Sequence, residues 1–246
     1  MKNFIVNENN VSEHISKIGE FIQKYVNLAN GKGVVLGMSG GVDCSVVARL
    51  AQTAGVKVHL VLLPHGMEKK KSIDDSMVLI NRFEFDYEII DIKDICKELD
   101  ALKGNFSEIS KINIRPRVRM TILYAIAQTM DYLVMGTGNL DERLLGYFTK
   151  WGDGGCDLNP LGMLTKGEVR LLARHLGVPD EIINKAPSAD LFEGQTDEGD
   201  FGFTYDQMDK YILEGSSKDV KIDQIIEKKI AAFAHKLDSI PLYYGN

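Results

Sequence analysis

Apolar positions at helical spacing open the chain. Val11, Ile15, Ile18, Phe21, Tyr25 and Leu28 recur every three or four residues, which predicts a helix over about 11–29. Gly31 and Gly33 then break the period. The run Val34-Val35-Leu36-Gly37-Met38 is short, continuous and apolar, as expected of a parallel strand covered on both faces. The alternation continues with a helix near 44–54, a strand at 56–62, a helix at 72–82 with Asp75 in its first turn, and a strand at 87–90. A helix at 92–102 follows, then a long helical stretch at 106–130 expected to break near Pro116, and a strand at 132–136. This rhythm predicts an α/β fold, a doubly wound parallel sheet with helices on both faces, and a single domain over 1–246.

Beyond Gly136 the pattern loosens. Glycines and aspartates crowd 146–157, and Thr165 with Glu168 three residues later marks a capped helix. The segment 186–203 (APSADLFEGQTDEGDFGF) shows no period and is expected to act as a mobile lid, with a plain disordered connection as the alternative. Helices near 204–213 and 218–236 close the chain.

Composition narrows the class. With 246 residues and 44% hydrophobic content, the chain can bury a sizeable core, so disorder or a disulfide scaffold is excluded as a description of the whole. No apolar run approaches the roughly 18–20 residues that span a bilayer, and Met1-Lys2-Asn3 opens no signal-peptide core, so a soluble, cytoplasmic protein with no membrane partner is expected. A formal charge of -6 argues against nucleic acid as the main partner. Cys44, Cys96 and Cys156 form no CxxC pair and suggest neither zinc nor disulfides.

The chemistry concentrates at Gly37-Met38-Ser39-Gly40-Gly41-Val42-Asp43-Cys44-Ser45, where a buried strand turns into a helix. Backbone N–H groups converge at such a turn and the helix dipole favours an anion. Gly40 and Gly41 let the backbone approach a phosphate, and Ser39 and Ser45 add hydroxyls. Neither GxxxxGK[ST] nor GxGxxG is present, so this is not one of those loops; a glycine turn that binds nothing is the bland alternative.

The segment resembles the SGGxDS loop of the ATP pyrophosphatases, which cleave ATP between its α- and β-phosphates. Downstream, GTGNLDERLLGYFTKWGDGGCDLNPLGMLTK from Gly136, then KAPSADL, GQTDE and HK, with NIRPRVRM upstream from Asn113, are similar in order and spacing to ammonia-dependent NAD synthetase. The resemblance implies an adenine nucleotide alpha hydrolase-like fold and a ligase that forms a C–N bond in the last step of NAD biosynthesis. The nicotinate carboxylate of deamido-NAD is adenylated by ATP, and ammonia then displaces AMP to give NAD. It further implies Mg²⁺, ATP as co-substrate, a homodimer and no amidase domain.

Carried over residue by residue, the resemblance gives ATP the loop Gly37 to Ser45, Thr137, Lys166 and Ser188. It gives magnesium Asp43 and Glu142, and deamido-NAD Arg117, Lys150, Asp157, His235 and Lys236. Each has a bland alternative: a helix cap for Asp43 and Thr137, a surface glutamate for Glu142, a solvated helix end for His235-Lys236. Lys166 in a first turn opposes the helix dipole, a small cost that makes sense if its ammonium faces phosphate. Asp153, between glycines, is either a base that deprotonates ammonium or a turn-forming aspartate. Cys44 stands where serine is usual, and at a helix N-terminus it is expected to be open to oxidation and shielded by ATP. Pro116 stands where alanine is commoner, which is expected to shift the start of the Arg117 helix. Two other classes compete: an ATP pyrophosphatase that amidates or thiolates a different substrate, and a nucleotide sensor without chemistry.

Overall fold

Val34, Val35 and Leu36 are wholly buried because β1 (Gly33–Gly37) runs inside the sheet. The structure, a computed structural model, describes residues 2–66, 70–102, 104, 106–187, 196–243 and 245, without the side chains of Lys70 and Lys71. Among the described residues four parallel strands stand in the order β3-β2-β1-β4, with β2 at Val58–Leu62, β3 at Asp86–Ile89 and β4 at Tyr132–Val134. The alternation along β1 decides which helices cover which face. Val34 and Leu36 pack under α1 (Val11–Leu28), α2 (Val42–Thr53) and the later α7 (Lys166–His175), while Val35 faces α4 (Lys93–Asp100) and α5 (Glu108–Met130). Burying each large aliphatic side chain contributes about 1.5–3 kcal/mol, so two covered faces are what a five-residue apolar strand needs.

Between β2 and β3 lies α3 (Lys70–Phe83), and after β4 comes α6 (Leu140–Leu144). Beyond α7 follow α8 (Asp180–Ile183), α9 (Asp197–Phe201), α10 (Tyr205–Glu214) and α11 (Val220–Phe233), then a 3₁₀ turn at Ala234–Lys236. A satellite cluster of Leu140, Leu145, Phe201, Phe203, Tyr205, Met208, Ile212 and Ile226 joins α6 to α9, α10 and α11.

Three expectations need correction. The α5 helix passes through Pro116 without a break. A proline there costs about 3 kcal/mol or more. Flanking bonds to the 149–150 loop hold the helix on course: Thr149 Oγ1 donates to Asn113 Oδ1 at 2.8 Å, and Arg117 Nε donates to the Lys150 carbonyl at 3.3 Å. The α3 helix starts early enough to put Asp75 in its second turn. Within 186–203, Asp197–Phe201 is helical, because Thr196 caps it by accepting the Gly199 N–H. Ser188 and the rest of the expected lid over 188–195 lie outside the described residues. No helix among the described residues is long and apolar enough to cross a membrane.

Candidate active site

Strand order reverses direction between β1 and β4, and ligands of open α/β sheets collect at the carboxyl ends beside such a point. The loops leaving those two strands carry Met38–Gly41 and Gly136–Asn139. In the first loop Gly40 has φ +75, and a Cβ there would fall 2.8 Å from the Ser72 carbonyl and 2.9 Å from Asp75 Cβ. Only glycine takes that backbone and that contact together. Gly41 caps α2, whose first-turn N–H groups have no acceptor within the helix. Behind them Ser45 Oγ donates to the Gly41 carbonyl at 2.8 Å, so this hydroxyl braces the loop.

Cys44 does the same, donating to that carbonyl at 3.1 Å and lying 3.3 Å from Ser39 Oγ. Its side chain is buried, against the expectation of a thiol open to oxidation.

The second loop brings the carboxylates together. Asn139 caps α6 in a reciprocal box, accepting the Glu142 N–H at 3.0 Å while Glu142 Oε2 accepts the Asn139 N–H at 3.2 Å. The Asn139 side-chain amide also donates to Asp43 Oδ1 at 3.1 Å. The Lys166 ammonium, 2% exposed at the start of α7, pairs with Asp43 and lies 3.7 Å from Glu142 Oε1. Burial alone would lower the lysine, but Asp43 and Glu142 more than offset it and raise its pKa. Burial and the Asp43 charge push Glu142 up to about 8, with Lys166 acting against them. Asp43 and Glu142 share one ammonium, and Glu142, the more distant of the two, keeps its proton to a higher pH than an ordinary carboxylate.

Beneath it, the Tyr205 ring lies 5.1 Å from Lys166 Nζ, and its hydroxyl donates to the buried Asp197 Oδ2 at 2.8 Å. Asp141 and Asp209 adjoin behind α7, and burial together with mutual repulsion raises Asp141, while burial raises Asp209.

Of the residues expected to hold the dinucleotide, Arg117, Lys150, His235 and Lys236 are brought together through backbone carbonyls, and Asp157 is held separately by Val134 and Tyr124. Arg117 is exposed and donates to the Lys150 carbonyl; Lys150 Nζ reaches the His235 carbonyl at 3.0 Å. Lys236 donates to the carbonyls of Gly146 and Phe148 at 2.6 and 2.9 Å. Asp157 Oδ2 accepts the Val134 N–H at 2.8 Å and Oδ1 accepts the Tyr124 hydroxyl at 3.1 Å. Asp153 Oδ1 accepts the Thr149 N–H at 2.9 Å, as a turn-forming aspartate does. Thr137 lies half-buried just past β4.

Sequence reasoning passed over Asn139, Asp141, Asp197, Tyr205 and Asp209. Only Asn139 left a local signal, the Asn-x-x-Glu spacing of a capping box; the others meet Lys166 or its helix across long stretches of chain.

The NAD synthase family model matches residues 14–238. An NH(3)-dependent NAD(+) synthetase of Carboxydothermus hydrogenoformans is 41% identical over 219 residues, covering 87% of this chain and 90% of that protein. One from Archaeoglobus fulgidus is 38% identical over 239 residues, covering 95% and 97%. Among solved structures, the NMN synthetase from Francisella tularensis superposes with a TM-score of 0.90 at 33% identity, over 95% of this chain and 98% of that one. The NH3-dependent NAD synthetase from Campylobacter jejuni gives 0.81 at 29% identity, over 95% and 99%.

Proposed function

The chain belongs to the NAD synthase family, and we propose that it makes NAD from deamido-NAD, ATP and ammonia. The observation that carries this reading is the meeting of Asp43, Glu142 and Lys166 at the mouth of the glycine loop. The α2 N-terminus with Gly40 and Gly41 receives the ATP phosphates. Lys166 is the fixed cation for charge that builds on the α-phosphate and on departing pyrophosphate. Ser39, Thr137 and Ser188 are further ATP contacts on the family pattern.

A free carboxylate is a poor electrophile. One nicotinate oxygen forms a bond to the α-phosphorus while the bond to the β-phosphate bridging oxygen breaks, releasing pyrophosphate. Ammonia nitrogen then bonds to the acyl carbon, the acyl–oxygen bond breaks with release of AMP, and a proton leaves the nitrogen. Arg117, Lys150, Asp157, His235 and Lys236 hold and orient the dinucleotide. The Thr149 bond supports Asp153 as the residue that shapes this loop over Asp153 as the ammonium base.

Mg²⁺ fits the donor set. Asp43 and Glu142 are hard oxygen donors that share the Lys166 ammonium, a cation beside them would offset the Asp43 charge that raises Glu142, and Mg²⁺ is commonly held by one or two carboxylates plus substrate phosphates. When bound, it neutralises phosphate charge. The exposed Ile109 on α5 and Phe106 just before it support a homodimer through the start of that helix, whereas Ile122, Leu123 and Ile126 pack against the chain's own core. A cytoplasmic location suits soluble biosynthetic chemistry.

The test is NAD formation with ammonium or glutamine as sole nitrogen donor. NAD and AMP from ammonium alone support the reading; no NAD with either donor overturns it. A second reading is favoured by the TM-score of 0.90 to an NMN synthetase, namely amidation of the mononucleotide acid. Offering both acids in one competition assay separates the two: a higher kcat/KM for the dinucleotide keeps the first reading.

A further inference from the structure

The first turn of α7 has two sides. Its front carries the Lys166 side chain to Asp43 and Glu142. Its rear is held by carboxylates from two other helices: the Lys166 N–H donates to Asp141 Oδ2 at 2.7 Å, and the Gly167 N–H to Asp209 Oδ2 at 2.8 Å. Thr165 Oγ1 also donates to Asp209 Oδ2, at 3.0 Å. Glu168 closes the group, accepting the Thr165 N–H and the Val6 N–H at 2.8 Å each and pairing with the buried Lys2 ammonium. Asp209 approaches so closely that a Cβ on Gly167 would collide with its carboxylate.

We propose that Asp209 and Lys2 are positioning residues for Lys166, acting through the backbone of α7's first turn. This role presupposes Lys166 as the phosphate-facing cation. N–H groups in a first helical turn have no partner within the helix, so whatever accepts them fixes where the turn sits. Asp209 supplies that acceptor from α10, across 42 residues of chain. Asp141, Asp209 and Glu168 together would repel one another, and Lys2 is the cation placed among them. The Lys166 stem is buried, so a shift of the turn passes directly to Nζ. A displacement near 1 Å at a reacting centre can cost about 10²-fold. The effect of this cluster travels through Lys166.

The test is pyrophosphate exchange and full turnover in Asp209→Ala, Asp209→Asn, Gly167→Ala and Lys2→Met, with Lys166→Met as comparator and thermal melting throughout. Asp209→Ala and Gly167→Ala are expected to lower kcat about 10–100-fold, and Lys2→Met about 3–10-fold, with the KM for deamido-NAD unchanged. Asp209→Asn is expected to recover most of kcat, because its amide oxygen still accepts the Gly167 N–H and its NH₂ donates to Asp141. Wild-type kcat in folded Asp209→Ala, a loss that only tracks the folded fraction, or no recovery in Asp209→Asn overturns the proposal. If Asp209→Ala does not fold, Lys2→Met decides, and wild-type kcat there overturns it. Wild-type exchange in Lys166→Met would instead bring down the role of Lys166 and this proposal together.

Discussion

Asn139 Nδ2 donates to Asp43 Oδ1 at 3.1 Å, tying the loop after β4 to the first turn of α2 across 96 residues of chain. The same side chain caps α6 and so fixes Glu142. One wholly buried amide therefore sets the spacing of both carboxylates. Asn139→Ala should leave Asp43 with one donor fewer and free the Glu142 N–H. The expected result is a loss of about 1–3 kcal/mol in urea unfolding and at least a tenfold drop in kcat. Asn139→Asp should be worse in kcat than Asn139→Ala, because it sets a third carboxylate against Asp43; steady-state NAD synthesis checks the order.

Glu142 makes the stability of the metal-free protein depend on pH. Its folded pKa of about 8 lies above the ordinary carboxylate value of 4.5, so between those values the folded state binds the extra proton. Stability from this group is full below about 4.5 and is lost as pH rises towards 8. Asp141 and Asp209, also raised, act in the same direction. Melting of the metal-free protein should therefore fall from pH 5 to pH 8 by more than in Glu142→Gln, whose curve should be flatter. Parallel curves for the two proteins would remove Glu142 as the cause.

Cys44 is a brace of the loop more than a reactive thiol. Its Sγ donates to the Gly41 carbonyl at 3.1 Å, a bond that a shorter serine hydroxyl makes as well. Cys44→Ser should keep kcat within about threefold and change the ATP KM little, since on the proposed reading the helix N–H groups and Lys166, not the residue 44 side chain, meet the phosphates. Alkylation of the native protein should label Cys156, which is half-buried, before Cys44. Mass spectrometry of the labelled peptides reads the order directly.

The sheet was legible because parallel strands buried on two faces leave continuous apolar runs, and Val34-Val35-Leu36 is one. The α7 start was legible too, since Thr165 and Glu168 carry the whole capping signal within four residues. What escaped depends on groups far apart in the chain. Lys2 meets Glu168 across 166 residues, and Tyr205 comes under Lys166 only because α10 packs against α7. The continuity of α5 through Pro116 escaped for the same reason: local chemistry argues for a break, and tertiary bonds from Thr149 and Arg117 hold the helix together.

Asp153 separates two accounts of how ammonia is handled. A general base contributes about 10²–10⁴-fold, so replacing its carboxylate with an amide should cost that much in kcat or raise the ammonium KM sharply. A loop-shaping aspartate needs only an oxygen that accepts the Thr149 N–H, and asparagine keeps one. Asp153→Asn should therefore hold both parameters within about threefold, whereas Asp153→Ala should loosen the loop that carries Lys150 and raise the deamido-NAD KM. Measuring kcat against ammonium at saturating ATP for the two variants distinguishes the accounts. A hundredfold loss in Asp153→Asn with an unchanged melting temperature would return the residue to proton transfer.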